Sequence, residues 1–236
     1  MRYDVLLADA DGTLFDFHAG ERLALTETLA AFQLPCDDGL CALYSRVNQS
    51  HWKKLERGET TQPRLRVERF ADFLTELRAL GIPHTAPEPE RMSAYFVEAL
   101  SRQRIPMAGA KDFLRRVSAR MPVYLVTNGI AAVQRGRFEH SELRPYFADL
   151  LISEELGHFK PDPYMLTEAM RRAGVSDPGR AVMLGDSVTA DIGAAIAAGV
   201  PSILFTNGEP APENCPATYA ARTLGEAAEI VLAPEP

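Results

Sequence analysis

Short, predominantly apolar runs recur along this chain and constrain its fold more than any other feature of the sequence. They are Val5–Ala8, Val123–Val126, Leu150–Ile152, Ala181–Leu184 and Ser202–Phe205. After residue 106 each run leads into a polar or glycine-containing turn, and helices are predicted at Gly109–Arg120, Pro163–Ala173 and Thr189–Ala198. Apolar strands that alternate with helices are typical of a parallel sheet covered on both faces. The sequence therefore predicts an α/β fold.

A long helical segment interrupts this alternation directly after the first strand. Apolar residues such as Phe70 and Phe73 recur there at helical spacing, and no strand-like run separates them. We therefore expect an α/β core formed by residues 1–17 and 105–236. The inserted all-helical domain, called the helical insertion, is predicted to comprise residues 18–104.

Composition excludes several classes of protein. The formal charge of −7 argues against a nucleic-acid binder, which needs clustered lysine and arginine. The cysteines Cys36, Cys41 and Cys215 lack metal-ligand spacing and are typical of reduced thiols. The first apolar run is too short for a signal peptide, and no apolar stretch approaches the ~20 residues that span a membrane. We expect a cytoplasmic protein with no membrane or nucleic-acid partner.

Two carboxylates, Asp9 and Asp11, come directly after the first apolar run and are followed at once by Gly12. Side chains at the carboxyl end of a parallel strand face the crevice in which such sheets bind ligands. One carboxylate there can act as a nucleophile while its neighbour transfers protons. Alternatively, an isolated pair of this kind simply caps a turn.

Two further polar clusters follow later apolar runs. Thr127-Asn128-Gly129 comes directly after the second run, and Lys160 lies beyond the third. A hydroxyl, an amide and successive backbone N–H groups can bind phosphoryl oxygens, and a lysine in the crevice neutralises negative charge. Taken singly, the first cluster is also typical of a turn that begins a helix, and the lysine of a solvated surface residue.

The last cluster is Gly185-Asp186-Ser187, followed by Asp191. Carboxylate oxygens of this kind are ligands that Mg²⁺ prefers. Alternatively, Asp191 complements the dipole of a helix that begins here. Because four such clusters occur in order at the ends of predicted strands, a shared phosphate site is the better explanation.

These motifs resemble those of the haloacid dehalogenase superfamily of phosphotransferases, in which DxDGT, a run ending in Ser or Thr, a Lys and GDxxxD follow one another. This chain has Asp9–Thr13, Thr127 and Lys160, and its last motif is Gly185–Asp191. The resemblance implies a Rossmann-like parallel sheet core. The position and helicity of the insertion resemble the C1 cap subclass.

The resemblance also implies roles for the residues at the motif positions. Asp9 would be the nucleophile, forming an aspartyl-phosphate, and Asp11 the acid and base. The phosphoryl group of a small phosphomonoester would be held by Thr127, Asn128 and Lys160, with Gly129 in the same loop. Mg²⁺ would be bound by Asp9, the backbone carbonyl of Asp11, Asp186 and Asp191.

Within the C1 subclass, the chain resembles the pyrimidine 5′-nucleotidases of the YjjG/YfnB type. The stretches that carry this resemblance are Asp9-Ala10-Asp11 with Leu14-Phe15, Val47-Asn48, Trp52, Gly58, Arg69-Phe70 and Ile152-Ser153-Glu154-Glu155. The resemblance implies a 5′-nucleotidase that acts on nucleoside monophosphates. Alternatives are a phosphatase for a sugar phosphate or phosphoglycolate and, more remotely, a non-catalytic phospho-ligand-binding or receiver-type signalling module.

Substrate choice should depend on side chains outside the motifs, because the motifs contact phosphate alone. An aromatic face can stack on a base and an amide can bind its edge. Phe15, Phe17, Asn48 and Trp52 are therefore candidate substrate contacts, with His51 as a further candidate. The alternative is that the aromatic residues only pack the helical insertion against the core.

Overall fold

One parallel sheet organises the core of the molecule. The computed structural model describes residues 2–83 and 87–234, so residues 1, 84–86 and 235–236 of the predicted domains lie outside it. The strands are β1 Val5–Ala8, β2 Val123–Thr127, β3 Asp149–Ile152, β4 Ala181–Gly185, β5 Ser202–Phe205 and β6 Tyr219–Ala221. Within the described ranges they form one sheet in the order β3-β2-β1-β4-β5-β6, and all neighbours are parallel. The predicted fold class is confirmed.

Helices cover both faces of this sheet and fill the segment between β1 and β2. They are α1 Phe17–Ala31, α2 Asp38–Glu56, α3 Gln62–Ala79, α4 Pro89–Ser101, α5 Ala110–Ser118, α6 Ala131–His140, α7 Ser153–Leu156, α8 Tyr164–Ala173, α9 Gly193–Ala198 and α10 Leu224–Leu232. The helix predicted over 189–198 is instead a π-helical turn, Val188–Ile192, followed by α9. The sequence predicted a helical stretch after the second apolar run without giving bounds for α6, and it did not predict the short strand β6.

The helical insertion has an apolar centre of its own. Helices α1–α4 bury a cluster in which Tyr44 packs against Phe70 and Phe96, with ring centroids 5.2 and 5.4 Å away. Ile130 and Val133, at the start of α6, belong to the same cluster. The helical insertion therefore rests on α6 of the core. The exact division between residues 18–104 and the rest stays a prediction.

Both ends of the helical insertion meet the core at one place, called here the crossing point. The N–H of Asp16 donates to the carbonyl of Ile105 (2.9 Å), and the N–H of Met107 donates to the carbonyl of Leu14 (2.9 Å). Asp16 also caps α1, because its side chain accepts a hydrogen bond from the N–H of Ala19 (3.0 Å). The outgoing and returning segments are thus bonded side by side.

A helix that crosses a bilayer must be both long and apolar. In the part of the chain that the structure describes, no helix meets both requirements. The cytoplasmic location stays a prediction.

Candidate active site

Polar residues from four parts of the chain meet at the carboxyl edge of the sheet. Asp9 and Asp11 follow β1, Thr127 ends β2, Asp186 follows β4, and Lys160 lies in the loop after α7. Because β1 lies between β2 and β4, the chain order reverses here, and such reversals open a crevice in α/β sheets. These side chains line one cavity of about 250 Å³.

Lys160 is at the centre of the site and is only 1 % exposed. Its ammonium group donates to Asp9 Oδ1 (2.6 Å), to Asp191 Oδ1 (2.7 Å) and to the carbonyl of Val126 (2.7 Å). Burial by itself lowers the pKa of Lys160, but the two facing carboxylates outweigh this effect and raise it above its ordinary value. Lys160 is therefore a fixed positive charge, with all three N–H donors in use.

Three carboxylates crowd around this ammonium. One oxygen each from Asp9, Asp186 and Asp191 lies within 4.8 Å of the others. Burial raises the pKa of Asp9 well above its ordinary value, although Lys160 opposes the shift. Asp186 reaches the cavity surface. Its pKa is nevertheless raised to about 7, mainly by loss of hydration in the cleft and secondly by the negative charge of Asp191. Excess negative charge on hard oxygen ligands suits a divalent cation such as Mg²⁺.

The turn after β1 allows Asp186 to approach closely. Gly12 has a φ of +88°, in the left-handed region that favours glycine. A Cβ atom at this position would also lie only 2.5 Å from Asp186 Oδ2. The hydroxyl of Thr13 donates to Asp186 Oδ1 (3.1 Å). Gly12 is therefore required both for the backbone conformation and for the space that Asp186 occupies.

The loop after β2 uses its polar groups differently from the prediction. The side chain of Asn128 donates to the carbonyl of Lys160 and accepts from its N–H, both at 2.8 Å. The N–H of Gly129 donates to the hydroxyl oxygen of Thr127 (3.0 Å). Asn128 therefore holds the Lys160 loop in place, and the Gly129 N–H, predicted as a phosphate donor, already has a partner. The hydroxyl of Thr127 can still donate into the cavity.

Asp11 lines the cavity, but its carboxylate is not one of the three that crowd together. Gln134 and Arg137, both on α6, donate to its two oxygens; the Gln134 Nε2–Asp11 Oδ2 distance is 2.6 Å. The predicted metal contact of Asp11 uses its backbone carbonyl and stays a prediction. Sequence reasoning missed both α6 residues, because nothing in their spacing points to the site.

Aromatic and apolar side chains surround most of the cavity that the motifs leave free. Phe17 and Trp52 line it, and their role as substrate contacts stays a prediction. Leu55, Glu56 and Phe159 line it as well and were missed. The four-residue spacing from Trp52 to Glu56, which puts both on one face of α2, is the signal that could have identified Glu56.

Three predicted candidates do not line the cavity. Phe15 is 2 % exposed and belongs to the apolar core of the α/β domain. Asn48 is equally buried inside the helical insertion, where it donates to Glu21 (2.6 Å) and accepts from Arg69 (3.1 Å). His51 is also buried. Packing uses Phe15 and internal hydrogen bonds use Asn48, so neither side chain is available at the cavity in this structure, and their role as substrate contacts stays a prediction.

This arrangement of motifs on a parallel sheet has a counterpart among known families. The model of the haloacid dehalogenase-like hydrolase family matches residues 3–199 of this chain. The chain belongs to the haloacid dehalogenase-like hydrolases. The family resemblance inferred from the four motifs is thereby confirmed.

Relatives of this haloacid dehalogenase-like hydrolase match it along most of their length. Pyrimidine 5′-nucleotidase YjjG of Escherichia coli is 29 % identical over 98 % of this chain and 99 % of its own. Pyrimidine 5′-nucleotidase PynA of Streptococcus pneumoniae is 32 % identical over 87 % of this chain and 84 % of its own. The HAD-hydrolase YfnB from Bacillus subtilis, whose crystal structure is bound to magnesium and shows interdomain movement, is 29 % identical in sequence to this chain. It superimposes with a TM-score of 0.88 over 98 % of this chain and 100 % of that one.

In this haloacid dehalogenase-like hydrolase, polar contacts hold the helical insertion over the cavity. The hydroxyl of Thr189, in the last motif, donates to Glu56 Oε2 on α2 (3.0 Å). Gln62, at the start of α3 and 2 % exposed, donates to the backbone carbonyl of Asn128 (3.2 Å). The helical insertion therefore contacts two motif loops directly.

Proposed function

We propose that this hydrolase removes phosphate from nucleoside 5′-monophosphates, preferring pyrimidine nucleotides, with Mg²⁺ and an aspartyl-phosphate at Asp9. The observation that carries the proposal is the composition of the free part of the cavity. Among the described residues its walls are aromatic or apolar, apart from the carboxylate of Glu56. The pyrimidine 5′-nucleotidase activity of the relatives YjjG and PynA supports the same substrate class.

Charge distinguishes this substrate class from the alternatives. Among the described residues that line the cavity, Lys160 is the one cationic side chain, and its donors are already in use. The carboxylate of phosphoglycolate would therefore face Glu56 without a compensating cation, which disfavours it. A nucleoside is neutral, can stack on Trp52 or Phe17, and offers N–H or O–H donors to Glu56. A neutral sugar lacks the aromatic face.

The donor set supports Mg²⁺ as the cofactor. Asp9, Asp186 and the backbone carbonyl of Asp11 would hold the ion, with Asp191 close by. When bound, Mg²⁺ neutralises the phosphate and the crowded carboxylates and so permits attack by an anion. Asp191 also accepts hydrogen bonds from Lys160 (2.7 Å) and from the N–H of Ser187 (3.0 Å), so it fixes the two loops that meet here.

The reaction then takes two steps on the side chains of this chain. An Asp9 oxygen bonds to phosphorus, the bond from phosphorus to the nucleoside 5′-oxygen breaks, and Asp11 gives that oxygen a proton. Asp11 next takes a proton from a water molecule, whose oxygen bonds to phosphorus as the Asp9–phosphate bond breaks. Phosphate leaves, Asp9 is again a carboxylate, and Asp11 again carries the proton with which it entered the first step. Lys160 holds Asp9 in place throughout.

Phosphate release should be fastest with a pyrimidine nucleoside 5′-monophosphate in a panel of phosphomonoesters assayed with Mg²⁺. The panel contains pyrimidine and purine nucleotides, a hexose phosphate, phosphoglycolate and an aryl phosphate. We expect phosphoglycolate to have a kcat/KM at least about tenfold lower than the nucleotide, because one desolvated like-charge contact costs about 1.4 kcal/mol or more.

A substitution at Glu56 tests the reason for that order. Glu56→Gln removes the charge but keeps the shape, so the preference for nucleotide over phosphoglycolate should become smaller. The control is Glu59→Gln, whose parent residue is exposed and paired with Arg57 outside the cavity. A wild-type preference for phosphoglycolate would refute the nucleotide proposal, and no release from any ester would refute the phosphatase proposal.

Mg²⁺ should raise the Tm of the protein more at pH 8 than at pH 6. Burial and the charge of Asp191 raise the pKa of Asp186 to about 7, so protons compete with the cation below that pH and not above it. One competing proton weakens Mg²⁺ affinity about tenfold between these two conditions. The measurement is the Tm with and without Mg²⁺ at each pH. Asp186→Asn should make the Mg²⁺ effect on Tm small at both pH values, because it removes a ligand of the ion. An equal Mg²⁺ effect at both pH values in the wild type would contradict the prediction.

A further inference from the structure

The carboxylate of Asp11 is held from both sides by two buried residues of one helix. Arg137 Nη1 donates to Asp11 Oδ1, and Gln134 Nε2 donates to Asp11 Oδ2 (2.6 Å). Arg137 and Gln134 lie three residues apart on α6, so both face the same way, and each is only 2 % exposed. The arrangement fixes the plane of the carboxyl group.

The surroundings of α6 are built to accept these polar side chains. A Cβ atom on Gly129 would lie 2.1 Å from Gln134 Nε2, so glycine at this position makes the space that Gln134 occupies. The Arg137 guanidinium lies over the Phe15 ring, 5.3 Å from its centroid. Burying a guanidinium is costly unless it is paired, and Asp11 supplies the opposite charge.

Arg137 also contacts the returning end of the helical insertion. Its Nε donates to the backbone carbonyl of Gln103 (3.0 Å), just before the crossing point. One guanidinium group therefore touches the carboxylate of Asp11 and the segment through which the helical insertion rejoins the core. The orientation of Asp11 is thus tied to the position of that segment.

We propose that Arg137 and Gln134 are positioning residues that align the Asp11 carboxyl for proton transfer to the leaving oxygen. The proposal rests on the proposed function, in which Asp11 is the acid and base. Each carboxyl oxygen has two lone pairs, so one can accept from α6 while the other carries the exchanged proton. Without the α6 donors the carboxyl group rotates freely, and proton transfer loses its alignment.

The dependence on the leaving group distinguishes this role from a merely structural one. A nucleoside 5′-oxygen needs a proton as it leaves, whereas dinitrophenolate is stable as an anion and does not. In the first turnover, before the aspartyl-phosphate is hydrolysed, misalignment of Asp11 should therefore slow release of a nucleoside and leave release of dinitrophenolate nearly unchanged. A general loss of folded enzyme would lower both rates by the same factor.

The test measures the rate of leaving-group release in the first turnover with a nucleoside monophosphate and with dinitrophenyl phosphate, on the same preparations with Mg²⁺. The steady-state kcat would not separate the two roles, because it includes the Asp11-dependent hydrolysis of the aspartyl-phosphate that both esters share. For Arg137→Met we expect about a 10- to 100-fold loss with the nucleotide and less than about a threefold loss with the aryl ester. Gln134→Leu should give a smaller change of the same kind. Arg135→Met is the control, since Arg135 is on the same helix but half-exposed and paired with Glu155.

Two further variants complete the test. Arg137→Met added to Asp11→Asn should cause no additional loss with the nucleotide, because no proton remains to be aligned. Arg137→Lys keeps the charge but cannot reach both partners. If Arg137→Met does not fold, the losses on the two esters are compared with Arg137→Lys instead. Equal losses on both esters, or full additivity with Asp11→Asn, would overturn the proposal. A wild type that releases phosphate from neither ester would instead refute the proposed function.

Discussion

Replacing Asp9 by Asn should abolish phosphate release while the protein stays folded. The amide cannot form the aspartyl-phosphate, so we expect kcat to fall by more than about 10⁴-fold. The amide oxygen can still accept from Lys160, which also keeps its bonds to Asp191 and Val126. Because burial already favours the uncharged form of Asp9, a neutral side chain of the same shape should be tolerated. Phosphate release and Tm are the measurements.

Two controls make this result decisive. Asp112→Asn alters an exposed carboxylate of α5 that is paired with Arg115, and it should leave the rate unchanged. In the wild type, acid quenching during turnover followed by borohydride should convert an acyl phosphate at position 9 to homoserine, visible in the peptide mass. Substantial turnover by the Asn variant, or acyl phosphate at another carboxylate, would refute Asp9 as the nucleophile.

Replacing Lys160 by Met should damage both stability and activity. The variant leaves Asp9 and Asp191 facing each other, both buried and without the ammonium that compensates them. Removing one partner from a buried ion pair typically costs about 3–5 kcal/mol of unfolding free energy. Loss of the cationic side chain from the cavity should also lower kcat by about 10²- to 10³-fold. Denaturant unfolding and nucleotide hydrolysis measure the two effects.

The pH dependence of this loss has a definite sign. Without Lys160, which opposes the shift, the folded-state pKa of Asp9 rises further above its unfolded value, so the native state favours the protonated form of this carboxyl group. The destabilisation should therefore be smaller in mild acid and should grow as the pH rises. Lys111→Met is the matched control: Lys111 is exposed, its ion pair with Glu142 is on the surface, and its loss should cost less than about 1 kcal/mol. Equal stability losses for the two variants would contradict this account.

The sheet and the catalytic motifs could be predicted from the sequence because they are encoded locally. Strands such as Val5–Ala8 and Ala181–Gly185 are apolar on both faces, and that pattern distinguishes them from everything around them. The residues after them reach one place because parallel strands share a carboxyl edge. The order of the strands therefore places residues as distant in the sequence as Asp9 and Asp186 next to each other.

Helix α6 shows what the sequence could not reveal. Its inward face carries Gln134 and Arg137 as well as Val133 and Phe138, so its sequence lacks a continuous apolar stripe. The buried polar residues have partners that belong to distant parts of the chain, and no local pattern records such pairs. Prediction from apolar periodicity fails wherever a helix buries polar groups against a site.

The same limit explains why some of the predicted substrate contacts do not line the cavity. Asn48 is a candidate by residue type, because an amide can bind the edge of a base, but Glu21 and Arg69 use both ends of that amide. His51 likewise pairs with Asp72 (2.9 Å). Residue type shows what a side chain is able to bind. Only the packing of α1, α2 and α3 decides whether the partner is a ligand or another helix.

The crossing point has a consequence for how such an enzyme diversifies. Because the outgoing and returning segments are bonded to each other at Asp16 and Ile105 and at Leu14 and Met107, the core presents one compact attachment for whatever lies between. A segment of different length or sequence could be exchanged there without moving the strand that carries Asp9. Specificity and phosphate chemistry can thus evolve as separate modules of one chain.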